Sequence, residues 1–452
     1  MMHMHTIIKV RGYMVLGLAL LSGCSENVSE QGGIDNQLSM ILNSAAVTKS
    51  IPLQKPGPAK TKLGQMLFFE KLISGNQDTA CATCHHPLLQ TGDGLALSIG
   101  TKGAGIGPLR EKAFDQGFIP RNSPDLFNRG LPEWQFLFWD GRVSGDPRNG
   151  FISPAGAQLP AGLESVLAVQ ALFPPTSRDE MRGNVGDLST TGMANELALY
   201  GDDDFQGIWN GIVQRLLAIP EYQVLFTEAY PGVPLNQITI VHVANAIAAF
   251  EAQQWTFLNS PFDQYLAGDL DALSMNAKKG ALLFYGKAGC SECHAGVLLT
   301  DQQFHNVAVP QLGPGKDSTT LDQGRILETN NPTDKFCFRT PSLRNVSLTG
   351  PWMHNGAYSS LEGAVKHMLN PVTALQSYDV SQLEVELQSS VKNDIVTQNE
   401  ILTTIDPKIR PRLLDATEFQ DLMAFLESLT DPAAINLVAD IPERLPSGLS
   451  LN

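Results

Sequence analysis

Two thiols and an imidazole occur together twice in this chain, as Cys81-Ala82-Thr83-Cys84-His85 and Cys290-Ser291-Glu292-Cys293-His294. The Cys-x-x-Cys-His spacing is the attachment sequence of c-type haem. Each thiol adds across one vinyl group of the porphyrin, and the tether brings the next imidazole under the iron as proximal ligand. A structural zinc site would want its Cys-x-x-Cys units close together. Here the two histidines are 209 positions apart. The spacing predicts two covalently bound haem c groups. A haem iron with one protein ligand can bind and activate a small molecule, whereas one with two is usually an electron relay. The chemistry therefore turns on which residues offer a sixth ligand.

In the second half, Met368 lies downstream of the haem motif in Leu361-Glu362-Gly363-Ala364-Val365-Lys366-His367-Met368. A thioether ligand would raise the reduction potential. Taken alone, a methionine on an apolar helix face reads as core packing, and His367, His305 and His354 compete for the role. The first half has no comparable candidate: after His85 come His86 and then no histidine until His242. His86 adjoins the proximal ligand and is poorly placed for the opposite face. The first haem is thus expected to be five-coordinate or water-bound. A carboxylate over its open face would do the acid–base work of O–O cleavage. Glu180 is one candidate among many acids.

The elements around these groups repeat. Lys62 to Lys71 matches Lys278 to Lys287 in register, with Gly64 against Gly280. Ser123 to Asn128 matches Thr340 to Asn345, and Phe138 to Gly141 matches Met353 to Gly356. Matched patches in one order imply an internal duplication. The expected class is mainly α, with two cytochrome c-like domains, each carrying one haem. Ile238 to Gln254 carries an amphipathic helical stripe in which His242 reads as structural. The division is 1–23 signal peptide, 24–58 flexible tether, 59–254 N-terminal haem domain, 255–274 interdomain connection, 275–432 C-terminal haem domain and 433–452 tail. Ser274 is the expected N-cap of the helix after the connection. Gly/Pro-rich stretches at 96–108 and 310–316 are expected as loops over a haem edge, and 378–415 as a partly helical insertion.

A chain of 452 residues favours two domains. A net charge of −15 argues against nucleic acid and favours a basic redox partner, or is simply a soluble surface. The apolar run Met14 to Leu21 is too short to span a bilayer. Leu21-Ser22-Gly23-Cys24 resembles a lipobox, which would anchor the mature chain to a membrane by a lipid on Cys24; an ordinary cleaved signal peptide is the alternative. Either reading exports the chain to face the periplasm, as haem attachment requires in bacteria. Cys337 is left alone, expected as a buried small hydrophobe.

Over residues 60–430 the chain resembles the bacterial di-haem cytochrome c peroxidases. The resemblance rests on both haem motifs, Arg121-Asn122-Ser123-Pro124, Phe138-Trp139-Asp140-Gly141-Arg142, Asp179-Glu180-Met181, Thr340 to Asn345 and Leu348 to His354. It implies that the haem on Cys81, Cys84 and His85 is the low-potential peroxidatic centre. Glu180 matches the distal glutamate, Phe138 the distal lining, and Trp139 the tryptophan between the haems. The haem on Cys290, Cys293 and His294 becomes the high-potential centre. Met368, 17 residues after Pro351, matches its axial methionine. Asn122, Thr349 and Pro351 match the ligands of an interdomain calcium ion, against which stands a helix-capping asparagine with no metal. The substrate implied is hydrogen peroxide and the donor a small c-type cytochrome or cupredoxin; a homodimer is a further family expectation.

Two departures stand out. The loop Ser98 to Gly103 lacks the histidine that in many members blocks the peroxidatic iron, so activity without reductive priming is expected. Insertions near 185–235 and 378–415 lengthen the chain. Two alternatives remain: a di-haem oxidase modifying a partner protein through high-valent iron, and a pure electron carrier. The first group uses tyrosine where Met368 stands.

Overall fold

The computed structural model describes residues 30–45, 47, 55–316 and 320–451. Six helices organise it: α1 (Glu30–Ser44), α2 (Pro58–Phe69), α3 (Ile240–Gln254), α4 (Met275–Tyr285), α5 (Leu361–Leu369) and α6 (Ala416–Glu427). Strand is confined to three small antiparallel sheets: β1 (Gly103–Ala104) with β2 (Glu111–Lys112); β3 (Phe136–Leu137), β4 (Val143–Asp146) and β5 (Gly150–Ile152); and β6 (Phe304–His305) with β7 (Phe338–Arg339). The class is mainly α, as expected. No described helix is long and apolar enough to cross a membrane.

Local chemistry sets the helix ends. Pro58 opens α2, where its missing N–H costs nothing. His242 is structural: its Nδ1 accepts from Thr239 N at 3.1 Å and closes the first turn of α3. Ser274 accepts from Ala277 N at the start of α4, as anticipated.

Two helix pairs, α2 on α3 and α4 on α6, form the centres of the two largest cores. Both cross at a glycine. A Cβ on Gly64 would lie 1.9 Å from Ala246 O and 2.8 Å from Phe250 Cβ. On Gly280 it would lie 1.9 Å from Asp421 O and 2.8 Å from Phe425 Cβ. No side chain fits either crossing. Left-handed backbone recurs too, at Asn128 and Asn345 (φ 61° and 60°) and at Phe138 and Met353 (φ 62° and 76°). These are positions that the sequence repeat pairs.

Three boundaries need correction. The stretch 24–58, expected as a flexible tether, contains α1, which packs on α4 with Leu38 and Leu42 in the second core. Asp35 ties it down, accepting from Tyr265 Oη at 2.9 Å and pairing with Lys278 Nζ at 2.8 Å. The tail 433–452 folds back on the first domain: Leu437 and Leu445 are in its core, and Asp440 accepts from Trp255 Nε1 at 3.0 Å. The connection 255–274 is split between the cores, Trp255 belonging to the first and Phe262 and Tyr265 to the second. Within the insertion near 185–235, helices Phe205–Leu217 and Pro220–Ala229 bury Trp209, Tyr222 and Phe226 in the first core. The 378–415 insertion is partly helical, as expected. Cys337 is buried, which pushes its thiol up to about 11. The signal segment and Cys24 lie outside the described residues.

Candidate haem sites

The first haem motif forms a single helical turn, Cys81–Cys84, closed by Thr83 Oγ1 accepting from Ala80 N at 2.9 Å. His85 follows directly. Its Nδ1 lies 3.0 Å from Thr91 O and can donate to it, which leaves Nε2, 3.5 Å from Ser123 Oγ, as the nitrogen that could serve a metal. Burial holds the ring neutral, at about 4, the form a metal requires. Cys81, Cys84 and His85 line a cavity whose other walls include Phe138, Arg142, Glu180 and Lys316. Among the described residues His85 is the one imidazole in that lining.

Two elements present the other groups of this cavity. Leu137 pairs with Val143 to close a hairpin loop holding Phe138, Trp139, Asp140 and Arg142. Phe138 is left-handed there, a conformation that costs about 1–3 kcal/mol in a non-glycine residue. It is held by the Arg142 guanidinium, 3.6 Å from its ring centroid, and by Arg339 Nε donating to its carbonyl at 3.2 Å. Glu180 sits on a π-helical turn, Arg178–Arg182, capped by Ser177. Gly75 N donates to Met181 O at 2.8 Å and fixes the turn. The loop Ser98 to Gly103 presses on its other side: Gly100 is so close that a Cβ would lie 1.9 Å from Asp179 O. Arg110 braces that loop through the carbonyls of Ile99, Gly100 and Gly105. Burial raises the pKa of Glu180 above the ordinary carboxyl value, while Arg142 and Lys316 pull it down and Asp179 and Asp140 push it up.

The second motif repeats the arrangement, with His294 Nδ1 at 3.2 Å from Leu299 O. Its cavity is also lined by Met368 of α5, His305, His354, Asn122, Thr349 and Pro351. The competing histidines separate cleanly. His305 is held at both nitrogens by Asp301 (3.0 Å) and Asp406 (2.6 Å). His367 is held at both by Tyr358 Oη (2.7 Å) and Val307 O (2.8 Å). His354 stacks on Phe338 with centroids 3.5 Å apart, and its buried Nε2 has no partner. Two of the weighed groups, Met368 and His354, thus keep a free donor atom in this cavity.

Trp139 lines both cavities, as do Asn122, Arg129 and Arg339. The indole is pinned by Nε1 donating to Asn122 O at 2.9 Å and by Arg339 N donating to Trp139 O at 2.8 Å. Behind it lies a buried ion network that the sequence did not disclose. Arg121 pairs with Asp140 at 2.5 Å and with Asp322 at 2.6 Å, joining the two domains. Arg121 was visible only as part of a motif, and Lys316 only as the end of a Gly/Pro-rich loop. No periodicity or spacing marks either contact.

The donor set fits haem c at both places. Each cavity is largely apolar, holds two unpaired cysteines and presents an imidazole whose far nitrogen is oriented by a backbone carbonyl. Residues 58–271 match the family model described as di-haem cytochrome c peroxidase. The chain is 30% identical over 396 residues to methylamine utilization protein MauG of Methylorubrum extorquens, covering 86% of this chain and 84% of that protein. It is 32% identical over 343 residues to cytochrome-c peroxidase IdrP1 of Denitromonas iodatirespirans, covering 70% and 74%. Among solved structures, a MauG-like protein associated with microbial copper homeostasis superposes with a TM-score of 0.58 at 26% identity, covering 88% of this chain and 96% of that one. With the two haem motifs and their cavities in place, the chain belongs to the di-haem cytochrome c peroxidase family.

Proposed function

We propose that this protein reduces hydrogen peroxide to water, H2O2 + 2e⁻ + 2H⁺ → 2H2O, with electrons from a small c-type cytochrome or cupredoxin. One arrangement carries the reading. Glu180 and Phe138 share a cavity with His85, and Trp139 is a common wall between that cavity and the one holding His294. Cys81, Cys84 and His85 would hold the peroxidatic haem; Cys290, Cys293, His294 and Met368 the electron-accepting one. Bound haem supplies the iron that takes the peroxide and the electrons that reduce it. The chain's own work is protonic and electrostatic. A carboxylate oxygen of Glu180 accepts a proton from one peroxide oxygen and returns it to the other as that oxygen leaves as water. Arg142, fixed over Phe138, and Lys316 bring positive charge to the developing anion. Phe138 narrows the cavity to a small substrate, and Trp139 shortens the path between the haems.

Asn122, Thr349 and Pro351 all line the second cavity and carry oxygen donors of the kind a calcium ion takes. The equivalent glycine crossings and left-handed residues support an internal duplication with one covalent haem in each copy. Export by the segment 1–23, with a lipid on Cys24 and a periplasm-facing location, follows from the leader pattern, and dimerisation from the family resemblance.

Peroxide turnover by the purified, haem-loaded protein with a reduced c-type cytochrome tests the activity. Turnover in the oxidised, unprimed protein is expected, because among the described residues no second imidazole lines the first cavity. No turnover with several donors would sink the reading. Met368→Leu is expected to remove the thioether signature from the second haem's absorption and EPR spectra and to lower its potential by on the order of 100 mV. An unchanged spectrum would return the role to His354.

A further inference from the structure

Lys316 belongs to the second domain in sequence, yet its side chain lines the first haem's cavity with Glu180. The loop that carries it is built to cross. Gly313, left-handed at φ 80°, packs so closely on Leu97 that a Cβ would lie 2.3 Å from Leu97 Cδ1. Gln311 exchanges two hydrogen bonds with the Asp322 backbone (2.8 and 3.3 Å), and the Asp322 carboxylate is clamped by Arg121 of the first domain. The next contact is from the Leu97 loop, through Gly100, to the backbone beneath Glu180. The ammonium itself is 3.5 Å from Asp140 and 3.6 Å from Glu328, with its side chain 19% exposed. An ammonium so enclosed is weakly screened. Burial disfavours the charged form of Glu180 most, and among its charged neighbours Arg142 and Lys316 favour that form while Asp179 and Asp140 oppose it. Arg142, stacked on Phe138 and paired with Asp140, is the first domain's cation here; Lys316, beside Asp140 and Glu328, is the one that the second domain adds.

We propose that Lys316 is a positioning residue of the peroxidatic site, delivered across the domain interface to keep Glu180 ionised and ready to accept the first proton. This rests on the peroxidase reading for its purpose, but its physical content does not require turnover. Removing the ammonium leaves the Glu180 carboxylate with less opposing charge, so its proton is held to higher pH. The first domain alone lacks this control.

Cyanide binding by the ferric, haem-loaded protein tests it. Hydrogen cyanide must give its proton to a distal base as cyanide reaches the iron, so the association rate falls on the acid side as Glu180 is protonated. In Lys316→Met the midpoint of that fall is expected to move up by about one pH unit, while Lys316→Arg stays near wild type. Glu180→Gln should abolish the acid limb, and Lys316→Met should add no shift in that background. Superimposable profiles for Lys316→Met and wild type overturn the proposal. So does an equal shift in the Glu180→Gln background, or an acid limb that survives there. Haem content by pyridine haemochrome, with Lys316→Gln as a second neutral variant, separates loss of fold from loss of charge. Peroxide turnover in the same samples is read independently: coupling without turnover would keep Lys316's role and remove the peroxidase reading.

Discussion

Glu180→Gln is expected to lower peroxide turnover by about 10²–10⁴-fold, the range of a positioned acid–base group, or roughly 3–5 kcal/mol of barrier. Glutamine fills the same space and keeps the turn Arg178–Arg182, but it cannot take a proton. Both haems should remain bound, and the affinity for the electron donor should be unchanged, because Glu180 lines the first cavity and not the second. The pH dependence carries a sign. Burial is the largest influence on Glu180 and raises its pKa above 4.5. Turnover requires the carboxylate, so activity falls as pH drops through that raised value and holds above it. The limb should vanish in the glutamine variant. Equal turnover in wild type and variant would keep a peroxidase and remove Glu180 as its proton carrier.

The second large effect is on stability. Arg121→Met leaves Asp140 and Asp322 buried without their shared cation. Removing one partner of such a network costs about 3–5 kcal/mol, because the charge left behind stays desolvated. Asp140 retains Arg142 at 2.8 Å, so most of the cost should lie with Asp322. A fall in Tm of roughly 5–15 °C is expected. Adding Asp322→Asn to Arg121→Met should recover much of it, since the orphaned charge goes with the carboxylate. Thermal unfolding of the haem-loaded single and double variants measures both. A double variant no more stable than Arg121→Met alone would place the cost in lost packing of Arg121 on Phe338.

The chemistry at this site was legible in the sequence wherever it is covalent and local. A thioether-linked haem needs both thiols and the imidazole within five residues, so no fold can scatter them. The match of Gly64 with Gly280 was legible as a repeat, and the structure gives its reason, one steric demand at two helix crossings. Met368 was one candidate among four until the resemblance favoured it. The structure adds a reason for it by binding both nitrogens of His305 and of His367 elsewhere. Lys316, Arg121 and Asp322 were not legible, because their meaning lies in contacts across a domain boundary that no local pattern encodes. The tether reading failed for a related reason. Polar composition dominates 24–58, but Leu38 and Leu42, one turn apart, suffice to dock α1 on a surface that the sequence does not display.

The returning C-terminal segment makes the first domain discontinuous. Gln65 Nε2 donates to Asp440 O across 375 residues of chain, and Asp440 also holds Trp255, whose ring lies 5.0 Å from that of Phe68 in the wall of the first haem's cavity. Closing so long a loop is entropically costly and slow. During synthesis, Cys81 and Cys84 therefore emerge long before Asp440 exists to complete the wall behind them. Severing the chain after 432 would remove that closure while leaving both haem motifs intact.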